Sequence, residues 1–211
     1  AAQLPRAGRL LEATAAIQRA LGRPAAAKPP HRPQTARSPE RPGDFVAGSY
    51  SHPHGARPYK LYIPTGYSAG KTLPLVVMLH GCTQNPDDFA AGTRMNLLGE
   101  ERQCFVLYPA QTKAANPSRC WNWFKRSNQH RDKGEPAIVA GMTREVAKRY
   151  GIDARRIYAA GLSAGGAMAA VMGATYPELF AAVGIHSGLP VGSAHGLASA
   201  FAAMRGTRPA Y

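Results

Sequence analysis

Residues 156–170 read RIYAAGLSAGGAMAA. The apolar run Ile157–Gly161 is bounded upstream by the turn-like YGIDAR and downstream by glycine, which predicts a buried strand. SAGGAMAAVMGATY, which follows, has the alanine- and methionine-rich composition of a helix. Ser163 sits at the junction, between Gly161 and Gly165 in G-x-S-x-G spacing. A chain with 22 glycines can produce that spacing by chance. The strand–turn–helix setting gives it meaning, because a serine there stands clear of a sheet at the mouth of a helix.

Such a junction is the nucleophile elbow of α/β-hydrolases. The turn is too tight for side chains at the flanking positions, and the amide that follows the serine, here Ala164, contributes to an oxyanion hole. A second element lies about eighty residues upstream, where LPLVVMLHGCTQN (73–85) runs a hydrophobic strand into His80-Gly81-Cys82. In this fold the loop after that strand supplies the other oxyanion N–H. Gly81 permits close backbone approach and Cys82 then offers its amide, so its thiol need not react. The alternative is an ordinary strand-end turn with a buried cysteine.

Working outward, strands are expected at 45–51 and 58–63 as edge strands, then at 74–80, 104–109, 156–161 and 180–186. Helices are expected at 86–102, 135–150, 164–175 and 196–205. This alternation predicts an α/β fold with a mostly parallel sheet and helices on both faces. Residues 8–21 carry the apolar spacing of one amphipathic helix (Leu10, Ala13, Ile17, Ala20, Leu21). The stretch from 22 to 44 is rich in proline and cations and reads as a linker. The expected division is therefore 1–44, helix and linker, and 45–211, a catalytic domain.

Six segments in order carry a family resemblance: LHGCTQN (79–85), VLYPAQ (106–111), CWNWF (120–124), GEPAIVAGMTREVAKRYGID (134–153), RIYAAGLSAGGAMAA (156–170) and GIHSGLP (184–190). Together they resemble the polyhydroxybutyrate depolymerase family of esterases, close to feruloyl and acetylxylan esterases. The resemblance runs from about residue 45 to the end. AGRLLEATAAIQRAL (7–21) is also similar to the leader of bacterial members, and the resemblance implies a secreted enzyme. It implies ester hydrolysis through an acyl-enzyme on Ser163, with short-chain polyhydroxyalkanoate as first substrate class and feruloyl or acetyl esters of polysaccharide as second. No cofactor is expected. A reading of another class is a non-catalytic binder of polymer granules or nucleic acid.

The chain order of this fold is Ser, then Asp or Glu, then His. After Ser163 the sequence has no aspartate, and its one carboxylate side chain is Glu178, between the elbow helix and the next strand. His186 and His195 follow; His186, at a strand end, can approach the site as a substrate contact. The resemblance implies that the acid and histidine belong to a segment beyond Tyr211, on the fold's last strands, so the sheet is expected to be incomplete here. Of the upstream histidines, His80 is expected to hydrogen-bond structurally within the oxyanion loop. His31, His52, His54 and His130 lie in proline-rich or polar stretches.

The tryptophans lie in CWNWF, in a loop that should face the same crevice as Ser163. Trp121 or Trp123 could wall an ester substrate, or both could fill space under the loop; the resemblance favours Trp121 at the site. Cys82 and Cys120 both follow strands expected to be neighbours, so a disulfide between them is plausible in an exported protein, whereas a cytosolic one would keep both reduced.

Composition limits the remaining options. At 211 residues and 45% hydrophobic the chain can bury one substantial core. No run reaches the length of a membrane span, and nothing matches HExxH or paired CxxC metal spacing. The net charge of +14 raises nucleic acid as a partner. The cations are spread along the chain without a basic stripe or recognised motif, so no nucleic acid is expected. Oligomeric state is not legible.

Overall fold

The computed structural model describes residues 43–206. The helix expected at 8–21 and all but the end of the linker fall outside the described residues. A six-stranded sheet runs in the order β1-β2-β4-β3-β5-β6. Its strands are β1 (Asp44–His52), β2 (Gly55–Ile63), β3 (Leu75–Leu79), β4 (Phe105–Pro109), β5 (Ile157–Leu162) and β6 (Ala182–His186). The β1–β2 hairpin closes on the two-residue turn Pro53-His54, and β2 pairs antiparallel with β4. The other four strands are parallel.

One expectation needs correction. β2 is not an edge strand but lies between β1 and β4, with Leu61 opposite Leu107. Its period-two pattern fits an interior strand: Tyr59 and Leu61 enter one core layer, and Tyr62 enters the other.

The helices are α1 (Pro86–Thr93), α2 (Met95–Arg102), α3 (Gly134–Tyr150), α4 (Ala164–Thr175) and α5 (Leu197–Met204). The single helix expected at 86–102 is two. Arg94 adopts a left-handed conformation (φ 54°), its N–H capping Ala90 O, so the first helix stops there and a second begins. α1 starts on Asn85, whose side chain accepts from the Asp87 and Asp88 amides, with Pro86 in the first turn.

The inner parallel strands are apolar on both faces because both are covered. Leu75, Val77, Leu79, Phe105, Leu107, Ile157 and Ala159 join the core layer that also contains the buried faces of α3 and α4. Met78, Val106 and Tyr108 turn the other way, onto Phe89 and Ala90 of α1. Neighbouring strands β3 and β5 thus lead into helices on opposite faces. The loops after them must diverge, which opens a crevice at their carboxyl ends. β6 closes the far side as a mostly exposed strand, paired among the described residues with β5 alone.

Candidate active site

The elbow forms at that crevice. Ser163 takes φ 56° and ψ −118°, a conformation that costs an L-residue of order 1–3 kcal/mol and persists only where surroundings impose it. The imposition is backbone against backbone. A Cβ on Gly165 would lie 2.0 Å from Leu79 O, and one on Gly161 would lie 2.2 Å from Gly165 O. Only glycines let α4 start that close to β3 and β5. Ser163 N–H donates to His186 O at 2.9 Å, carrying the β5–β6 pairing one residue beyond the strand. The Ser163 side chain is exposed.

The His80–Cys82 loop abuts it: a Cβ on Gly81 would be 3.7 Å from Ser163 Cβ. Gly81 N–H donates to Gln84 Oε1 at 2.8 Å, and Thr83 N–H donates to Ser118 O at 2.6 Å. Between these two spent amides, Cys82 N–H meets no protein acceptor among the described residues, and neither does Ala164 N–H. Sheet pairing of β3 with β5 ends at Leu79–Gly161, so it does not consume the Cys82 amide.

His80 fixes the plane of that amide. The ring is fully buried; its Nε2 accepts from the Gln111 N–H at 3.1 Å, so its Nδ1 carries the proton and donates to Gly81 O at 2.7 Å. In a trans peptide the C=O and N–H point in opposite directions, so anchoring Gly81 O aims Cys82 N–H away from His80. With both nitrogens engaged, His80 is no general base. Burial holds its pKa below the ordinary 6.5. In the window below 6.5 the unfolded chain binds a proton that the folded chain refuses, so stability contributed above 6.5 is lost as pH falls toward the folded value. Urea unfolding at pH 7.5 and 5.0 should show this slope, and His80→Phe should flatten it; equal slopes in the two proteins would rule it out.

The loop is held from the other side by a disulfide between Cys82 and Cys120, 38 residues apart. Cys104 is free and buried at the start of β4. Trp121, expected as a wall of the site, is fully buried in the described structure, with its ring 5.7 Å from the His80 ring. His186 is placed near the serine, but the two meet through backbone; its imidazole pairs with Ser187 Oγ at 3.1 Å. An open groove of about 500 Å³ runs from His186 past Leu162 to Met78 and Phe89.

Glu178 is committed elsewhere. It takes Arg131 with both oxygens (2.9 and 2.7 Å) and Arg144 at 3.1 Å, and Arg131 chiefly holds its carboxyl down at about 2. Among the described residues no side chain hydrogen-bonds the Ser163 hydroxyl.

Sequence reasoning missed a buried polar network behind the site, comprising Arg57, Gln111, Asn122, Asn128 and Glu135. A polar residue closing an apolar strand (Gln111) and a glutamate opening an apolar helix (Glu135) were its available signals.

A strained serine elbow and two unspent amides at the switch point of a mostly parallel sheet mark the α/β-hydrolase fold. The family profile described as "Esterase PHB depolymerase" matches residues 57–210. The chain belongs to that family. It is 38% identical over 143 residues to the poly(3-hydroxyalkanoate) depolymerase C of Paucimonas lemoignei, covering 68% of this chain and 34% of that protein. It is 32% identical over 151 residues to feruloyl esterase B of Neurospora crassa, covering 71% and 50%. The solved acetyl xylan esterase from Aspergillus awamori superimposes with a TM-score of 0.64 at 24% identity, over 73% of this chain and 56% of that one. The chain thus spans about a third to a half of the length of these curated relatives.

Proposed function

We propose that this chain is the nucleophile-bearing part of a serine esterase. Ser163 Oγ bonds to the ester carbonyl carbon as its proton passes to a base. The carbonyl oxygen, now an anion, rests on the amides of Cys82 and Ala164. Collapse expels the alcohol, which takes a proton, and water then releases the acid from the acyl-enzyme. The acid and histidine of the triad come from a segment following Tyr211. His186, on the groove beside the elbow, contacts substrate. The disulfide fits export to an oxidising compartment. The observation that carries the reading is the strained Ser163 with two free amides beside it.

The favoured substrate is a short-chain polyhydroxyalkanoate or its oligomers, supported by the depolymerase relative at 38% identity. The second reading, a carbohydrate esterase acting on feruloyl or acetyl groups, is supported by the feruloyl esterase relative. Assaying the full-length protein on hydroxybutyrate trimer, methyl ferulate and acetylated xylan separates them. The trimer should give the highest kcat/KM. A preference for either of the other two would replace the first reading with the second.

A further inference from the structure

Behind the oxyanion loop lies a carboxylate that the chemistry above does not use. Glu135 is the second residue of α3 and is 5% exposed. Its own N–H is held by Asn128 Oδ1 at 3.0 Å, and Asn128 Nδ2 in turn donates to Asn122 O at 3.0 Å. Both carboxylate oxygens are taken. Oε1 accepts from Gln111 Nε2 at 2.5 Å and Asn122 Nδ2 at 2.6 Å, with Arg57 Nη2 3.5 Å away. Oε2 accepts from the Asn122 backbone N–H at 2.7 Å.

Two routes run from this carboxylate to the site. Through Asn122 it fixes the backbone directly after Cys120-Trp121, and so the far anchor of the disulfide to Cys82. Through Gln111 it reaches His80. The Gln111 side chain spans Glu135 and Cys120 O (3.1 Å) and accepts from Arg57 Nε (2.8 Å), while its main-chain N–H fixes the His80 tautomer (3.1 Å). Both routes end on the two atoms that hold the Cys82 peptide in place, Gly81 O and Cys82 Sγ.

We infer that Glu135 is a positioning residue for the oxyanion hole, acting through Gln111 and Asn122 rather than on substrate. The inference rests on the esterase reading given above. A carboxylate suits this place because four donors converge on it, and a neutral amide in the same volume would turn an N–H toward at least one of them. The N-terminus of α3 favours the negative charge as well.

The test uses the full-length protein with Glu135→Gln and, independently, Gln111→Met, which removes the side-chain amide and keeps the main-chain N–H. Both are assayed on a p-nitrophenyl butyrate ester and on its thionoester, well below their melting temperatures. Sulfur accepts hydrogen bonds weakly, so an aligned hole favours the oxygen ester strongly, and a misaligned one loses that preference. Glu135→Gln should lower kcat by between about tenfold and a hundredfold with KM within about threefold, and should bring the ester-to-thionoester ratio toward one. Gln111→Met should move both quantities in the same direction. If kcat and the ratio stay at wild-type values while only the melting temperature falls, Glu135 is scaffold and the inference is overturned. Should Glu135→Gln yield no folded protein, Gln111→Met decides alone. Ser163→Ala, run alongside, separates the two ideas: if it retains turnover, the esterase reading itself has failed.

Discussion

Replacing Ser163 by alanine in the full-length protein is expected to cut ester hydrolysis by about 10⁴-fold or more, with the fold intact. The size follows from how triad members act as a unit: without the nucleophile, only binding and the oxyanion hole remain to accelerate attack by water. Alanine at this position keeps the strained φ of 56° and removes one oxygen from an exposed side chain, so stability should barely move. Residues 1–211 expressed alone are expected to sit close to the alanine variant. No histidine or carboxylate among the described residues hydrogen-bonds the Ser163 hydroxyl, and deacylation needs a positioned base as much as acylation does. Steady-state hydrolysis of a p-nitrophenyl butyrate ester by wild type, Ser163→Ala and residues 1–211 gives the comparison. Turnover by residues 1–211 within about tenfold of the full-length protein, abolished by Ser163→Ala, would place the base within these residues. His186 would then be the first to mutate.

The second large effect concerns the disulfide. Cys120→Ser removes a cross-link closing a loop of 38 residues, worth about 4 kcal/mol on the chain-entropy account. For a domain of this size that corresponds to a melting-temperature drop of roughly 8–16 °C. Activity should suffer beyond stability, because Cys82 supplies both a bridge sulfur and the proposed oxyanion amide. Reduction of the wild-type protein should reproduce the variant, since Cys104 is already a buried free thiol. A thermal melt with and without reductant, paired with kcat measured at 20 °C, reads both. A melting temperature within 2 °C of wild type, with kcat unchanged, would show that the hydrogen bonds of His80 and Thr83 hold the loop unaided.

Much of this was legible in the sequence because it depends on local pattern. The elbow is a run of small residues at fixed spacing, and its glycines are dictated by atoms 2.0 and 2.2 Å from where a Cβ would stand. The four parallel strands announce themselves as apolar runs, and the expected bounds of α4 match those observed. What was not legible depends on long-range geometry. The break at Arg94 has no glycine or proline at the position itself, only a left-handed backbone (φ 54°). The full burial of Trp121 was not legible either, because inward and outward orientations share one sequence. The Glu135 network joins residues from position 57 to position 135, and no periodicity connects them.

Gly165 rests on the carbonyl of Leu79, Gly166 on that of His186, and Ser163 N–H is tied to His186 O. Main chain from β3, β5, α4 and the end of β6 therefore meets within one turn, with no side chain as a spacer. A joint of that kind has no soft mode of its own. Ser163 cannot loosen while the sheet stays assembled, nor can the sheet part there without dismantling the elbow. Repacking of the distant core should alter how long the molecule survives heating far more than how well its surviving population aligns the serine. At this joint, the conformation of one serine and cooperative folding are a single property.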